Sequence, residues 1–180
     1  MKQVIFIRHG PTAGNLERRY IGRTDEPLLE GWRPEIAVEA DRIFVSPMLR
    51  TRQTAVLLFP GRDYTVVPDL RETDFGQFEG QTADELADCQ AYRQWVDGGC
   101  TAPIPGGEAV AAFKARCCRA FQAAVRDLPE GSTAAFVIHG GCIMAILEAY
   151  ARPKREFYAY HVPNGAAVCC TLEGEVLTVR

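Results

Sequence analysis

Two histidines in this sequence stand in the same local setting. Ile7-Arg8-His9-Gly10 closes one apolar run, and Ile138-His139-Gly140-Gly141 closes another. An imidazole can serve as a nucleophile when neutral and as an anion-binding donor when charged. Two arginines accompany the pair, Arg8 beside His9 and Arg50 in Ser46-Pro47-Met48-Leu49-Arg50. Guanidinium forks match the geometry of phosphate oxygens. A cation in the first turn of a helix is unfavourable unless an anion is bound there, which sets Arg50 apart from a solvated surface charge. Gly140 and Gly141 let the backbone approach a ligand closely at a helix start. Each residue alone has an ordinary structural role. Together they form the inventory of a phosphoryl-transfer site: nucleophile, cationic forks and backbone donors. A general acid would complete it. The stretch Leu70 to Gly80 offers Glu72, Asp74 and Glu79 among aromatics and glycines, and residue type alone does not choose among the three.

The elements that must position these groups alternate between strand and helix. Gln3 to Ile7 is a continuous apolar, β-branched and aromatic run, the pattern of a strand buried on both faces. A Gly/Pro/Asn-rich loop follows to about Gly31. Arg42 to Val45 is a second strand, after which Ser46 caps a helix carrying Pro47 at its first position and running to about Phe59. Tyr64 to Val67 is a third strand. Thr82-Ala83-Asp84-Glu85 is a capping box that opens a helix to about Val96. Gly98 to Gly107 is a loop, Glu108 to Leu128 the longest helix, Thr133 to Ile138 a strand and Gly140 to Tyr150 a helix. Ala166 to Leu172 and Glu175 to Val179 flank a turn and form a terminal hairpin. The pattern predicts an α/β fold of three layers. A mostly parallel central sheet carries helices on both faces and ends in a C-terminal antiparallel hairpin, within one domain over residues 1–180. In such sheets ligands bind beyond the carboxyl ends of the strands, where His9, Ser46 and His139 all fall.

Composition narrows the classes of partner. Among 180 residues, 20 Lys+Arg stand against 23 Asp+Glu for a net charge of -3, which leaves no basic footprint for nucleic acid or an anionic membrane. No apolar run reaches the length of a membrane span, and the N-terminal run is too short for an export signal, so a cytoplasmic protein is expected. The seven cysteines contain no Cys-x-x-Cys and match no zinc spacing. They read as free, mostly buried thiols.

Four motifs in order carry a family resemblance: Arg8-His9-Gly10-x-Thr12-x-x-Asn15, Ser46-Pro47-x-x-Arg50-x-x-x-Thr54-Ala55, Leu70-x-Glu72-x-x-x-Gly76-x-x-Glu79-Gly80 and His139-Gly140-Gly141. With Tyr20-Ile21-Gly22-Arg23-x-Asp25-x-Pro27-Leu28, they span nearly the whole chain. The sequence resembles the histidine phosphatase superfamily, also called phosphoglycerate mutase-like, and within it the small alpha-ribazole phosphatases of cobalamin biosynthesis. The resemblance implies that His9 is the nucleophile that becomes phosphorylated. Arg8, Arg50 and a protonated His139 would surround the phosphate oxygens, and Asn15 and the Gly140 N–H would add hydrogen bonds. Glu72 would be the acid, later the base for water. It implies no metal and no other cofactor, because the guanidinium groups supply the positive charge. The partner is then a small-molecule phosphate ester, with Tyr20, Gly22, Arg23 and the region Tyr92 to Pro105 recognising its leaving group. Tyr92 and Trp95 share a helical face, and core packing suits Trp95 equally well. His161, outside any motif, reads as structural.

One departure from the family concerns the fourteen residues between Gly31 and Ser46, where Glu35 to Ala40 has room for little more than one helical turn. One sheet face is then thinly covered, and a homodimer could cover it. Two other functions compete with a hydrolase: a phosphoglycerate mutase, and a catalytically silent phospholigand-binding module. Only Arg93 stands as a cation between Cys89 and Gly107, too few for the carboxylate of phosphoglycerate, and the full constellation of Arg8, His9, Arg50, Glu72 and His139 opposes a silent module.

Overall fold

A computed structural model describes residues 1–180. Seven strands form one sheet in the order β3-β2-β4-β1-β6-β7-β5. They are β1 (Lys2–Arg8), β2 (Arg42–Val45), β3 (Thr65–Val66), β4 (Thr133–Ile138), β5 (Ala151–Arg152), β6 (Ala167–Glu173) and β7 (Val176–Val179). β1 to β4 pair in parallel, while β6 runs antiparallel to both β1 and β7. β5 adds a parallel edge pair to β7. The architecture is the expected mixed sheet with a terminal hairpin. The helices are α1 (Ala13–Leu16), α2 (Leu49–Leu58), α3 (Gln90–Asp97), α4 (Val110–Arg126) and α5 (Gly140–Tyr150).

Strand alternation divides the core. Val4, Phe6, Ala134, Phe136 and Ile138 point to one face and join a cluster of 24 buried residues under α4 and α5. Ile7, Ala135 and Val137 point to the other face, where the cluster holds only 8 and α2 is the helix that contributes to it. Residues 33–41 form no helix, and Ile36 and Val38 pack there from irregular chain. The thin cover expected on this face is thus real.

Several boundaries differ from the sequence reading, each for a local reason. Ser46 does not cap α2; the cap position is Met48, because the Ser46 hydroxyl is committed to His139 Nε2 at 2.7 Å. The Thr82–Glu85 box does form, with reciprocal hydrogen bonds of 2.9 and 3.1 Å. It closes only a turn, since Glu85 is also held by Arg19 at 2.8 Å, and the helix starts at Gln90. The third strand shrinks to two residues. The loop after β1 also contains α1, a stretch that reads as loop in the sequence, capped by Thr12 in a capping box with Asn15.

Candidate active site

Parallel pairing brings the two histidines together. Arg8 is in register with Ile138, so the next residues, His9 and His139, leave adjacent strands side by side. Their ring centroids lie 5.2 Å apart at 64°. Val45 pairs with Val137, which places Ser46 beside the same strand ends. Residues from three parallel strands therefore converge on one spot beyond the sheet.

Each imidazole has one nitrogen fixed by a neighbour. His9, 4% exposed, donates from Nδ1 to the Gly10 carbonyl at 2.6 Å, which leaves the lone pair on Nε2. His139 is fully buried, its Nε2 shares a hydrogen bond of 2.7 Å with Ser46 Oγ, and its Nδ1 has no protein partner. Burial first, and then Arg50, hold both rings well below the ordinary imidazole range, so both are neutral near pH 7. The protonated His139 that the family resemblance implies is a state of the phosphate-bound pocket, with an anion against the ring. Only an anion placed against it would draw a proton onto that ring.

Cations and backbone donors surround the pair. Arg50, 1% exposed, donates to the carbonyls of Thr24 at 2.8 Å and Gly22 at 3.0 Å, which braces its guanidinium beside the rings. Arg8 donates from Nη1 to the Val162 carbonyl, while its Nε is buried without a partner. Its guanidinium lies against Gly140, where an added Cβ would come within 3.3 Å of it. α5 opens at Gly140, so its first N–H groups and positive dipole end face the same point. Gly10 must lack a side chain, because a Cβ there would meet the Trp32 ring at 2.6 Å. Asn15 Oδ1 accepts from Thr12 N–H and from Asn164 Nδ2. Asn164 also donates to the His9 carbonyl at 3.2 Å. Sequence reasoning missed this brace; the Asn164-Gly165 turn before the hairpin was its signal.

The structure separates the three candidate carboxylates. Glu79 accepts from Gly22 N–H, Thr24 and Phe75 N–H and holds the loop. Asp74 accepts from Gly76 N–H and faces Arg23 at 3.6 Å. Glu72 alone reaches the start of α5, its Oε2 accepting the Gly141 N–H at 3.1 Å. No three His, Cys, Asp or Glu side chains gather within metal-ligating reach.

Glu72 and Arg8 open onto a cavity of about 240 Å³ with mostly apolar walls, among them Tyr20, Phe75, Trp95, Ile104, Phe157 and Tyr158. Tyr20 sits edge-on to Trp95 and its hydroxyl meets that of Tyr92 at 2.9 Å. Trp95 serves both readings, core and wall: it is buried in a cluster with Phe78 and Leu86 and also lines the cavity. Gly22 and Arg23 line an adjoining polar cavity instead, and Arg19 is engaged by Glu17, Glu85 and the Gly80 carbonyl. Arg93 is exposed outside both cavities. His161, read as structural, stands on the apolar cavity with its Nε2 3.3 Å from Arg8 Nη1. No motif marks it in the sequence.

A mostly parallel α/β sheet thus carries paired imidazoles and two braced guanidinium groups beyond its strand ends, the makings of an anion-binding pocket. The family model described as histidine phosphatase superfamily, branch 1, matches residues 4–180, and the chain belongs to that superfamily. Among curated relatives, "Probable phosphoglycerate mutase GpmB" of Enterobacter sp. (strain 638) is 36% identical over 175 residues, covering 86% of this chain and 80% of that protein. Among solved structures, the alpha-ribazole phosphatase from Shigella flexneri superposes with a TM-score of 0.84 at 24% identity, over 99% of this chain and 94% of that one. Bacillus stearothermophilus YhfR gives 0.82 at 26% identity, over 99% and 95%.

Proposed function

We propose that the protein is a metal-independent phosphomonoesterase that hydrolyses a small-molecule phosphate ester through a phosphohistidine on His9. The observation that carries this reading is the fixed tautomer of His9. With Nδ1 bonded to Gly10, a neutral Nε2 lone pair is held 5.2 Å, ring to ring, from a second imidazole and amid two guanidinium groups. His9 Nε2 attacks phosphorus and the ester oxygen departs on the opposite side, taking a proton from Glu72. Arg8, Arg50, Asn15, the Gly140 N–H and the free Nδ1–H of His139 hold the equatorial oxygens. Water then attacks the phosphohistidine from the vacated side, with Glu72 taking its proton.

The leaving group lies in the apolar cavity. Its tyrosine, phenylalanine and tryptophan walls suit an uncharged ring system, and alpha-ribazole phosphate is one candidate. The name of the curated relatives favours a second reading, phosphoglycerate mutase. Against it, Arg8 and His161 are the cavity's basic side chains, and Arg8 is already committed to phosphate. Incubation with aromatic and nucleoside monoesters and with 3-phosphoglycerate plus 2,3-bisphosphoglycerate separates the two. Hydrolysis of the aromatic esters, abolished in His9→Ala, is expected. Interconversion of phosphoglycerates without phosphate release would overturn the hydrolase.

A further inference from the structure

The segment that carries Glu72 has almost no regular structure. A single 3-10 turn at Pro68–Leu70 precedes it, irregular chain follows to Gly76, and no strand pairs with it. Its carbonyls need partners, and a buried side chain of α4 supplies them. Arg116, 5% exposed, donates from Nη1 to the carbonyls of Asp69 and Arg71, both at 2.7 Å, and from Nη2 to the carbonyl of Glu72 at 3.0 Å. Its remaining donors, Nε and the second Nη2–H, form a fork on Glu108 at 2.7 Å each. All the N–H donors of the guanidinium are thereby used. Glu108 is anchored in turn, its N–H donating to the Asp74 carbonyl at 2.9 Å. Phe113 packs under the guanidinium, 4.9 Å from its ring centroid.

We propose that Arg116 is the positioning residue for the catalytic acid: its fork fixes residues 69–72 so that the Glu72 carboxyl stays on the Gly141 N–H, between the phosphate pocket and the leaving-group cavity. Arg116 touches neither phosphate nor leaving group. It replaces the sheet that this segment lacks. A lysine there keeps the charge but has a compact ammonium that cannot span three carbonyls and a carboxylate at once. The loss then falls on proton delivery, because a misplacement of about 1 Å costs on the order of 10²-fold in a positioned step. Phosphate binding, built on other elements, is spared.

The inference rests on Glu72 being the acid, so the test carries its own control. The readout is kcat/KM for a series of monoesters from alkyl to p-nitrophenyl, plotted against leaving-group pKa, with inhibition by inorganic phosphate measured alongside. A good leaving group scarcely needs a proton. Arg116→Lys is expected to lose roughly 10- to 100-fold on alkyl esters. It should stay within about twofold on p-nitrophenyl phosphate and keep its inhibition by phosphate, which steepens the plot. Glu108→Gln, which loosens the same fork while retaining Arg116, should steepen it less and decides the matter if Arg116→Lys does not fold. Glu72→Gln must steepen it most. A parallel loss on all esters in the Arg116 and Glu108 variants, or no loss, would overturn the positioning role. A flat Glu72→Gln plot would instead overturn the assignment of the acid.

Discussion

The two buried imidazoles make the folded protein sensitive to mild acid in a way that can be calculated. Both rings are held neutral by burial and by Arg50, so their native pKa values lie well below the ordinary 6.5, which they recover on unfolding. The unfolded chain then binds more protons than the native one between the native pKa values and about 6.5, and stability falls as pH falls through that range. For a native pKa below the window of the experiment, the loss depends only on the unfolded value. Between pH 7.5 and 5.5 each ring then costs at most about 1.4 kcal/mol, or at most about 2.7 kcal/mol for the pair. That is a large fraction of the 5–15 kcal/mol typical of a folded domain. Most carboxylates stay ionised in both states across this range, so the histidines dominate it. Urea unfolding at pH 7.5, 6.5 and 5.5 should show the free energy dropping with the midpoint, the m-value constant. His9→Gln and His139→Gln should each remove about half of the slope. Saturating phosphate should flatten it, since an anion against His139 restores its affinity for a proton. A free energy independent of pH over this window would refute the claim that both rings are neutral and buried.

Two further substitutions probe the groups around the rings. Gly141→Ala should favour α5, by up to about 1 kcal/mol. Its new Cβ would overlap Glu72 Oε1 and approach Glu72 Cδ and Phe113 Cζ to 3.1 Å. The expected result is an unchanged or raised melting temperature with kcat/KM on alkyl phosphates reduced about tenfold or more, and wild-type turnover would contradict the placement of the acid. Ser46→Ala removes the partner of His139 Nε2 and leaves a buried nitrogen unsatisfied, at about 1–3 kcal/mol in urea unfolding. It should also weaken competitive inhibition by inorganic phosphate, because the proton is no longer held on Nδ1; unchanged inhibition would count against that tautomer.

What could be read in the sequence followed from local rules and parallel pairing. His9 and His139 sit at the ends of apolar strands, and a sheet that pairs those strands must bring them together. Arg50 was legible because a cation in a first helical turn needs an anion. Glu72 was not separable from Asp74 and Glu79 by type; the resemblance pointed to it, and the contact with Gly141 N–H is its structural basis. No motif marks Arg116 or Asn164, and His161 reads as structural, because their partners are backbone carbonyls or side chains of other segments, which leave no periodicity. The Thr82–Glu85 box misled about a helix because a capping motif reports only the first hydrogen bonds, and Leu86 is the one side chain of the following stretch to become buried. The leaving-group cavity draws on Tyr20, Trp95, Ile104 and Phe157, whose convergence depends on how irregular segments pack.

The most direct test is to find the phosphate on the protein. Mixing the enzyme with a ³²P-labelled monoester and quenching in alkali within the first turnover should trap an alkali-stable, acid-labile label. Proteolysis should place it on the peptide that contains His9, and the His9→Ala protein should carry none. Product release with no labelled protein, or a label on His139, His161 or a cysteine, would contradict the account.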